Sequence, residues 1–276
     1  TPPEQLEEFF KAHPQFKREW FLGTFQKEWC GIILTAQLID LGNAECLKWL
    51  EERIFEVMDR AEANIFRIDF NIPPAQIWAE HDRPDRRGIT ENHYCAGYLQ
   101  LLKDIQSRYP GILMDSCASG GGRNDLETLR LMLPLHYSDH QDMFPQDTNT
   151  FIYMQQVLYR WFPYIKNFMS PFSVQDKYAA RTVYNPCVAC AFAPEEIDNI
   201  DFDRLKEHLK EWRLINKAYM GNYYELEKAS NNNTDIKAFM FFNKEENLGF
   251  VMVFCPENCT QTAYRAVLQG LEAQKI

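Results

Sequence analysis

Long apolar runs are missing from this chain of 276 residues. No window approaches the roughly 18 uninterrupted apolar residues of a membrane-spanning helix, and Thr1-Pro2-Pro3-Glu4 begins no recognisable signal peptide. The chain reads as soluble, with no membrane partner. Positive charge is also in short supply: 29 Lys and Arg face 39 Asp and Glu, a formal charge of −10. That balance disfavours nucleic-acid backbones and anionic lipid surfaces as partners. A disulfide framework is lacking too. The eight cysteines, at positions 30, 46, 95, 117, 187, 190, 255 and 259, are scattered through a chain much longer than small secreted disulfide domains, and most read as buried thiols. Cys187 and Cys190 with Cys255 and Cys259 make only a weak zinc or redox pattern, because the two pairs lie so far apart.

What the chain does have is apolar substance. Hydrophobic residues make up 46% and aromatics 14%, enough to bury a full core. After a polar start, 31–34 and 38–39 are short apolar pieces. Apolar residues at 47, 50, 54, 57 and 58 then predict an amphipathic helix over 45–60, with Asn43 as its cap. A strand over 65–70 is followed by a polar loop and a helix over 92–109, stopped by Pro110-Gly111. Strand 112–116, a glycine loop and a helix over 126–132 form the next unit. Strand 133–137 and a helix over 150–164 form another. A further strand is expected over 168–173, and a helix over 203–219.

Repeated strand–loop–helix units imply an α/β fold with parallel strands, either doubly wound or a (β/α)8 TIM barrel. Polar residues clustered just after the strands favour the barrel. Past Gly221 the pattern becomes antiparallel: strands 236–242 and 249–254 flank a turn, and 263–268 can add a third strand. The expected organisation is a barrel portion over 1–225 and the start of an antiparallel β domain over 226–276. About six strand–helix units are visible where a closed barrel needs eight, so the barrel looks to be missing its first strands.

Three of these strands end in chemistry. Ile65-Phe66-Arg67-Ile68-Asp69-Phe70-Asn71 ends in Asp69, and Leu133-Pro134-Leu135-His136-Tyr137-Ser138-Asp139 ends in Asp139. Between them, Ile112 to Asp125 runs into Cys117, the triplet Gly120-Gly121-Gly122 and Arg123. Paired carboxylates at a pocket are what glycoside hydrolysis requires, although a strand-end Asp more often caps a helix or pairs with an arginine. Arg67, two positions before Asp69, points to the same side, where its cation can pair with Asp69 and contact a sugar hydroxyl. The glycines let backbone approach a ligand closely, and Arg123 can offer a planar fork of donors. Without the Gly-Lys-Ser/Thr of a phosphate loop, nucleotide binding is disfavoured. His136 and His140 bracket Asp139 at H-x3-H spacing, but Pro134 argues against the helix such a metal pair needs. Trp78, Tyr94, Trp161 and Trp212 can stack on sugars or fill the core.

Taken in order and spacing, Arg67-Ile68-Asp69-Phe70-Asn71, Cys117-Ala118-Ser119-Gly120-Gly121-Gly122-Arg123-Asn124-Asp125 and Tyr137-Ser138-Asp139 resemble glycoside hydrolase family 36, the bacterial and fungal α-galactosidases or melibiases. His13-Pro14 and Leu38-Ile39-Asp40-Leu41-Gly42-Asn43 add to the likeness, which covers about residues 10–220. The resemblance implies a (β/α)8 barrel followed by a β domain and a retaining double displacement on α-galactoside oligosaccharides, with no cofactor and no metal. It implies Asp69 as nucleophile, Asp139 as acid/base, and Arg67, Asn71, Cys117, Gly120, Gly121 and Arg123 as sugar contacts. An α-N-acetylgalactosaminidase, another α-glycosidase or a non-catalytic carbohydrate-binding relative are the alternatives. The resemblance leaves open a homo-oligomer, and a bacterial cytoplasmic, periplasmic or secreted location. Arg67 stands where the family usually has lysine. Asp115-Ser116 replaces Glu-Asn, and His140-Gln141 departs from Asp-Thr beside the acid/base.

Overall fold

The computed structural model describes residues 3–29 and 32–271. Cys30 and Gly31, the latter opening the first apolar piece, lie outside the described residues, as do the two terminal stretches 1–2 and 272–276. The chain forms two compact units, Thr1–Leu133 and Pro134–Ile276.

The first unit opens with helix α1 (Pro3–Ala12) and the antiparallel hairpin β1 (Phe21–Trp29) and β2 (Ile32–Ile39). Helix α2 (Ala44–Ala61) starts where Asn43 accepts hydrogen bonds from the Glu45 and Cys46 amides at 3.0 and 3.1 Å, the capping expected from the sequence. Strand β3 (Ile65–Asp69), helices α3 (Ala75–His81) and α4 (Ile89–Arg108), and strand β4 (Leu113–Cys117) complete a β–α–β unit whose strands pair in parallel. The short helix α5 (Leu126–Leu129) follows, capped by Asp125. The core lies between α4 and the strands, with Leu38, Leu101, Leu102, Ile105 and Met114 buried. A second cluster joins Phe16, Trp20 and Cys46 to Trp49, with Phe16 and Trp49 edge to face at 4.8 Å.

One contact in this unit makes stability depend on pH. Burial first, and then the Asp104 carboxyl of α4, push Glu51 of α2 up to about 7. A carboxyl raised on folding stabilises fully below its unfolded value, here 4.5, and the contribution is lost as pH rises through about 7. Glu51→Gln is therefore expected to raise the melting temperature at pH 8 by about 2–4 °C, roughly 1 kcal/mol after solvent screening, and to give no gain at pH 4. Melting curves at both pH values decide this.

The second unit contains α6 (His140–Met143), α7 (Thr148–Tyr159), β5 (Lys166–Met169), α8 (Pro171–Gln175), α9 (Lys177–Thr182), β6 (Cys187–Cys190), α10 (Phe202–Ile215), and strands β7 (Asn222–Glu225), β8 (Lys237–Asn243) and β9 (Leu248–Phe254). β5 and β6 pair in parallel, and β7–β8–β9 form an antiparallel sheet. Met169, Val174, Ala180, Tyr184 and Leu205 fill one core. The aromatic rings of Tyr159, Tyr219, Phe239 and Phe241 pack against the β8 face, with Tyr219 and Phe241 at 4.8 Å.

Several expectations need correction. The stretch expected as strand 133–137 makes one parallel bridge, Asp115 to Leu133. Its bonds run from the Ser116 amide to the Leu133 carbonyl and from the Leu133 amide to the Met114 carbonyl, each 2.9 Å. The ladder stops at Pro134, which has no N–H to give. The strand expected over 168–173 ends at Met169, because Ser170 caps α8 and Pro171 takes its first position. No third strand forms at 263–268; β7 takes that edge of the hairpin. Helices 126–132, 150–164 and 203–219 close early, at Leu129, Tyr159 and Ile215, the last continuing as a 3-10 turn to Met220. The first apolar piece belongs to a hairpin, not to a strand–helix unit. Among the described residues the parallel strands come as two separate pairs.

Candidate active site

In the first unit the β3–β4 register brings the sequence-predicted residues together. Arg67 lies opposite Asp115, and Asp69 opposite Cys117. Parallel strands in register end at the same edge, so Asp69 and Cys117 both stand at the carboxyl end of the pair. Asp69 is 45% exposed at its side chain, while Asp115 is 8% exposed. The guanidinium of Arg67 donates from Nη1 to Asp115 Oδ2 and has Nη2 3.9 Å from Asp69 Oδ2. Arg67 is thus clamped by the buried acid and faces the exposed one. Burial pulls the Arg67 cation down, but its bond to Asp115 and the surrounding negative charge raise it further. Burial pushes the Cys117 thiol up, with the Asp69 carboxylate beside it adding to the effect, so Cys117 stays a neutral thiol at pH 7.

The loop after β4 is shaped by backbone. Ser119 and Gly120 have φ of 48° and 78°, the left-handed region in which glycine costs least. The Ala118 amide donates to the Gly120 carbonyl at 3.1 Å and the Gly122 amide to the Ala118 carbonyl at 3.2 Å. A side chain at Gly122 would bring a Cβ to 2.6 Å from that carbonyl oxygen. Gly120 is buried and Gly121 half-buried. Asn71, just past β3, ties the loop down: its Oδ1 accepts from the Ser119 amide at 2.7 Å and from the Ser119 hydroxyl at 3.2 Å. Arg123 lays its guanidinium over Phe70 at 4.2 Å and Tyr98 at 5.5 Å. A cleft of about 570 Å³ opens here, lined by Phe25, Phe70, Asn71, Trp78, Ser119 and Arg123. Phe25 of the hairpin was not among the candidates, and nothing in its local pattern marks it.

Asp139 belongs to the second unit, at the start of α6. His136, buried at 5% exposure, puts Nε2 3.1 Å from Asp139 Oδ1 and 3.1 Å from Asp142 Oδ2. His140 turns away, with Nε2 2.9 Å from Asp147 Oδ2, so the H-x3-H pair does not converge. Among the described residues, His136, Asp139 and Asp142 are the group whose ligating atoms lie close enough, within 4.8 Å, to hold a cation. The cysteines at 187, 190, 255 and 259 make no such group there. Trp78 and Tyr94 are core residues, their rings tilted by 49° with centroids 5.1 Å apart. Trp212 donates its indole N–H to the Asn185 carbonyl at 2.7 Å, and Trp161 is half exposed.

The parallel pair thus delivers an acid, a thiol and a glycine loop at one edge. The melibiase family model matches residues 3–158, more than half of the chain, which belongs to that family. An α-galactosidase of Lactobacillus acidophilus is 30% identical over 106 residues, 38% of this chain and 14% of the relative. The α-galactosidase AgaA of Geobacillus stearothermophilus is 30% identical over 105 residues, again 38% and 14%. The solved family 36 structure of AgaA superposes with a TM-score of 0.74 at 20% identity, over 96% of this chain and 37% of that one. A variant of AgaA solved in complex with stachyose gives 0.70 at 20% identity, with the same coverage. The chain thus spans little more than a third of these structures.

Proposed function

We propose that this chain carries the reacting carboxyl groups of a retaining glycoside hydrolase that removes terminal α-galactosyl residues from oligosaccharides. The observation that carries the reading is Asp69 at the carboxyl end of β3, level with Cys117 and flanked by Arg67, in a chain of the melibiase family. Relatives named α-galactosidases and the stachyose complex of AgaA support the substrate class. On this reading the parallel pairs are part of a (β/α)8 barrel over 1–225, and 226–276 begins a β domain.

Asp69 attacks the anomeric carbon while Asp139 gives its proton to the departing glycosidic oxygen. Water, deprotonated by Asp139, then opens the β-galactosyl ester, so two inversions return the α anomer. Arg67 sets the position of Asp69 without locking it, since its shorter bond goes to Asp115. Asn71 and the loop from Cys117 through Gly120, Gly121 and Arg123 shape the sugar site, and no cofactor takes part.

Hydrolysis of an aryl α-galactoside followed by proton NMR is expected to release α-galactose first. Release of β-galactose first would replace double displacement by single inversion. Turnover of the α-N-acetylgalactosaminide in place of the α-galactoside would move the specificity, and turnover of no α-glycoside would leave a carbohydrate-binding relative.

A further inference from the structure

We infer that His136 is a positioning residue that holds the carboxyl group of Asp139 by a hydrogen bond at Nε2, with the Asp142 carboxyl against the same nitrogen. The inference rests on the reading of Asp139 as the acid/base. His136 is buried, its ring 5.5 Å from that of Phe168. The Leu135 carbonyl before it accepts from the Lys166 amide at 2.7 Å, which ties its backbone to β5. On the Nδ1 side stands the side-chain amide of Gln141, itself buried, at 3.2 Å.

On the other side Nε2 meets two carboxylate oxygens at 3.1 Å each. Both are acceptors, so Nε2 carries the proton in either orientation of the Gln141 amide. One turn of helix puts Asp139 and Asp142 on the same side: the Asp142 amide donates to the Asp139 carbonyl at 3.1 Å. Both carboxyl groups are about half exposed and would otherwise sample several rotamers. A buried imidazole that engages Oδ1 fixes the Asp139 carboxyl and leaves Oδ2 to face the leaving group. The sequence hid this arrangement because H-x3-H spacing drew attention to His140, whereas the partner of His136 besides Asp139 is Asp142.

The test separates positioning from folding by the leaving group. Galactosylation by a dinitrophenyl α-galactoside needs no proton at the departing oxygen, whereas melibiose does. In the intact protein, His136→Phe is expected to lower kcat/KM on melibiose by about 10–100-fold, as expected for weakened general-acid catalysis, with kcat/KM on the dinitrophenyl galactoside, which reports galactosylation alone, nearly unaffected. His136→Gln, which restores an N–H donor, should recover most of the loss. An equal fall on both substrates, or no fall on either, overturns the inference, as does activity lost to a chelator and restored by zinc, since the trio would then hold a metal. Asp139→Ala measured alongside keeps the two readings apart. If it loses melibiose selectively while His136→Phe does not, only the positioning role fails. If it shows no leaving-group dependence, the acid/base assignment itself fails.

Discussion

Asp69→Ala is expected to lower kcat/KM on an aryl α-galactoside by about four orders of magnitude, the scale seen when the reacting group of a covalent mechanism is removed. Sodium azide is expected to restore turnover with β-galactosyl azide as the product. The first displacement needs a nucleophile on the β face of the anomeric carbon, opposite the leaving group, and a small anion can enter the space the carboxylate vacates. The aryl leaving group departs with little help, so the azide adduct accumulates with a single inversion. Unfolding cannot imitate this result. The Asp69 side chain is 45% exposed and 3.9 Å from Arg67, a pair worth about 0–1 kcal/mol. Arg67 keeps Asp115 when Asp69 is gone. A variant with most of its activity, or one that azide does not revive while its melting curve is unchanged, would take the nucleophile's role from Asp69.

Legibility in the sequence followed the range of the interactions involved. α2 and α4 could be read because their periodic apolar faces are bounded by local signals, Asn43 at one start and Pro110-Gly111 after one end. The β8–β9 hairpin could be read for the same reason. β1 could not: Phe21 to Trp29 mixes Thr24, Gln26 and Glu28 with its apolar residues, and its strand conformation depends on pairing with β2. Proline misled twice, at Pro134 within a supposed strand and at Pro171 inside another, where it opens a helix. Asp69, Cys117 and the glycine loop stood out because strand-end acids and a glycine triplet are local. The clamp on Arg67 did not, since only the parallel register sets residue 67 opposite residue 115. Asp142 carried no signal of its own beside the departures at His140 and Gln141; the fold sets the buried His136 imidazole against it.

Gly97→Ala carries the largest expected effect on folding, and its sign runs against helix propensity. Gly97 lies within α4, where alanine is ordinarily favoured by about 1 kcal/mol. Here a Cβ would stand 1.8 Å from the Leu41 carbonyl oxygen and 2.6 Å from its carbon. Both atoms are backbone at the corner between β2 and α2, so no rotamer change relieves the overlap. The neighbouring Gly42 is equally confined, its added Cβ meeting His93 Cβ at 2.8 Å. The helix and the corner therefore approach each other through two glycines, and moving them apart would open the core around Leu38, Leu41 and Leu101. The expected cost is about 3 kcal/mol or more, a large share of the roughly 5–15 kcal/mol that stabilises an ordinary domain. Gly88→Ala is the control: its φ is 86° but nothing lies within 4 Å of the added Cβ, so only backbone strain of about 1–2 kcal/mol applies. Thermal or urea melts of the two variants should rank Gly97→Ala well below Gly88→Ala. The reverse order would mean that α4 does not pack on Leu41, and the β3–α4–β4 frame that carries Asp69 would need a different support.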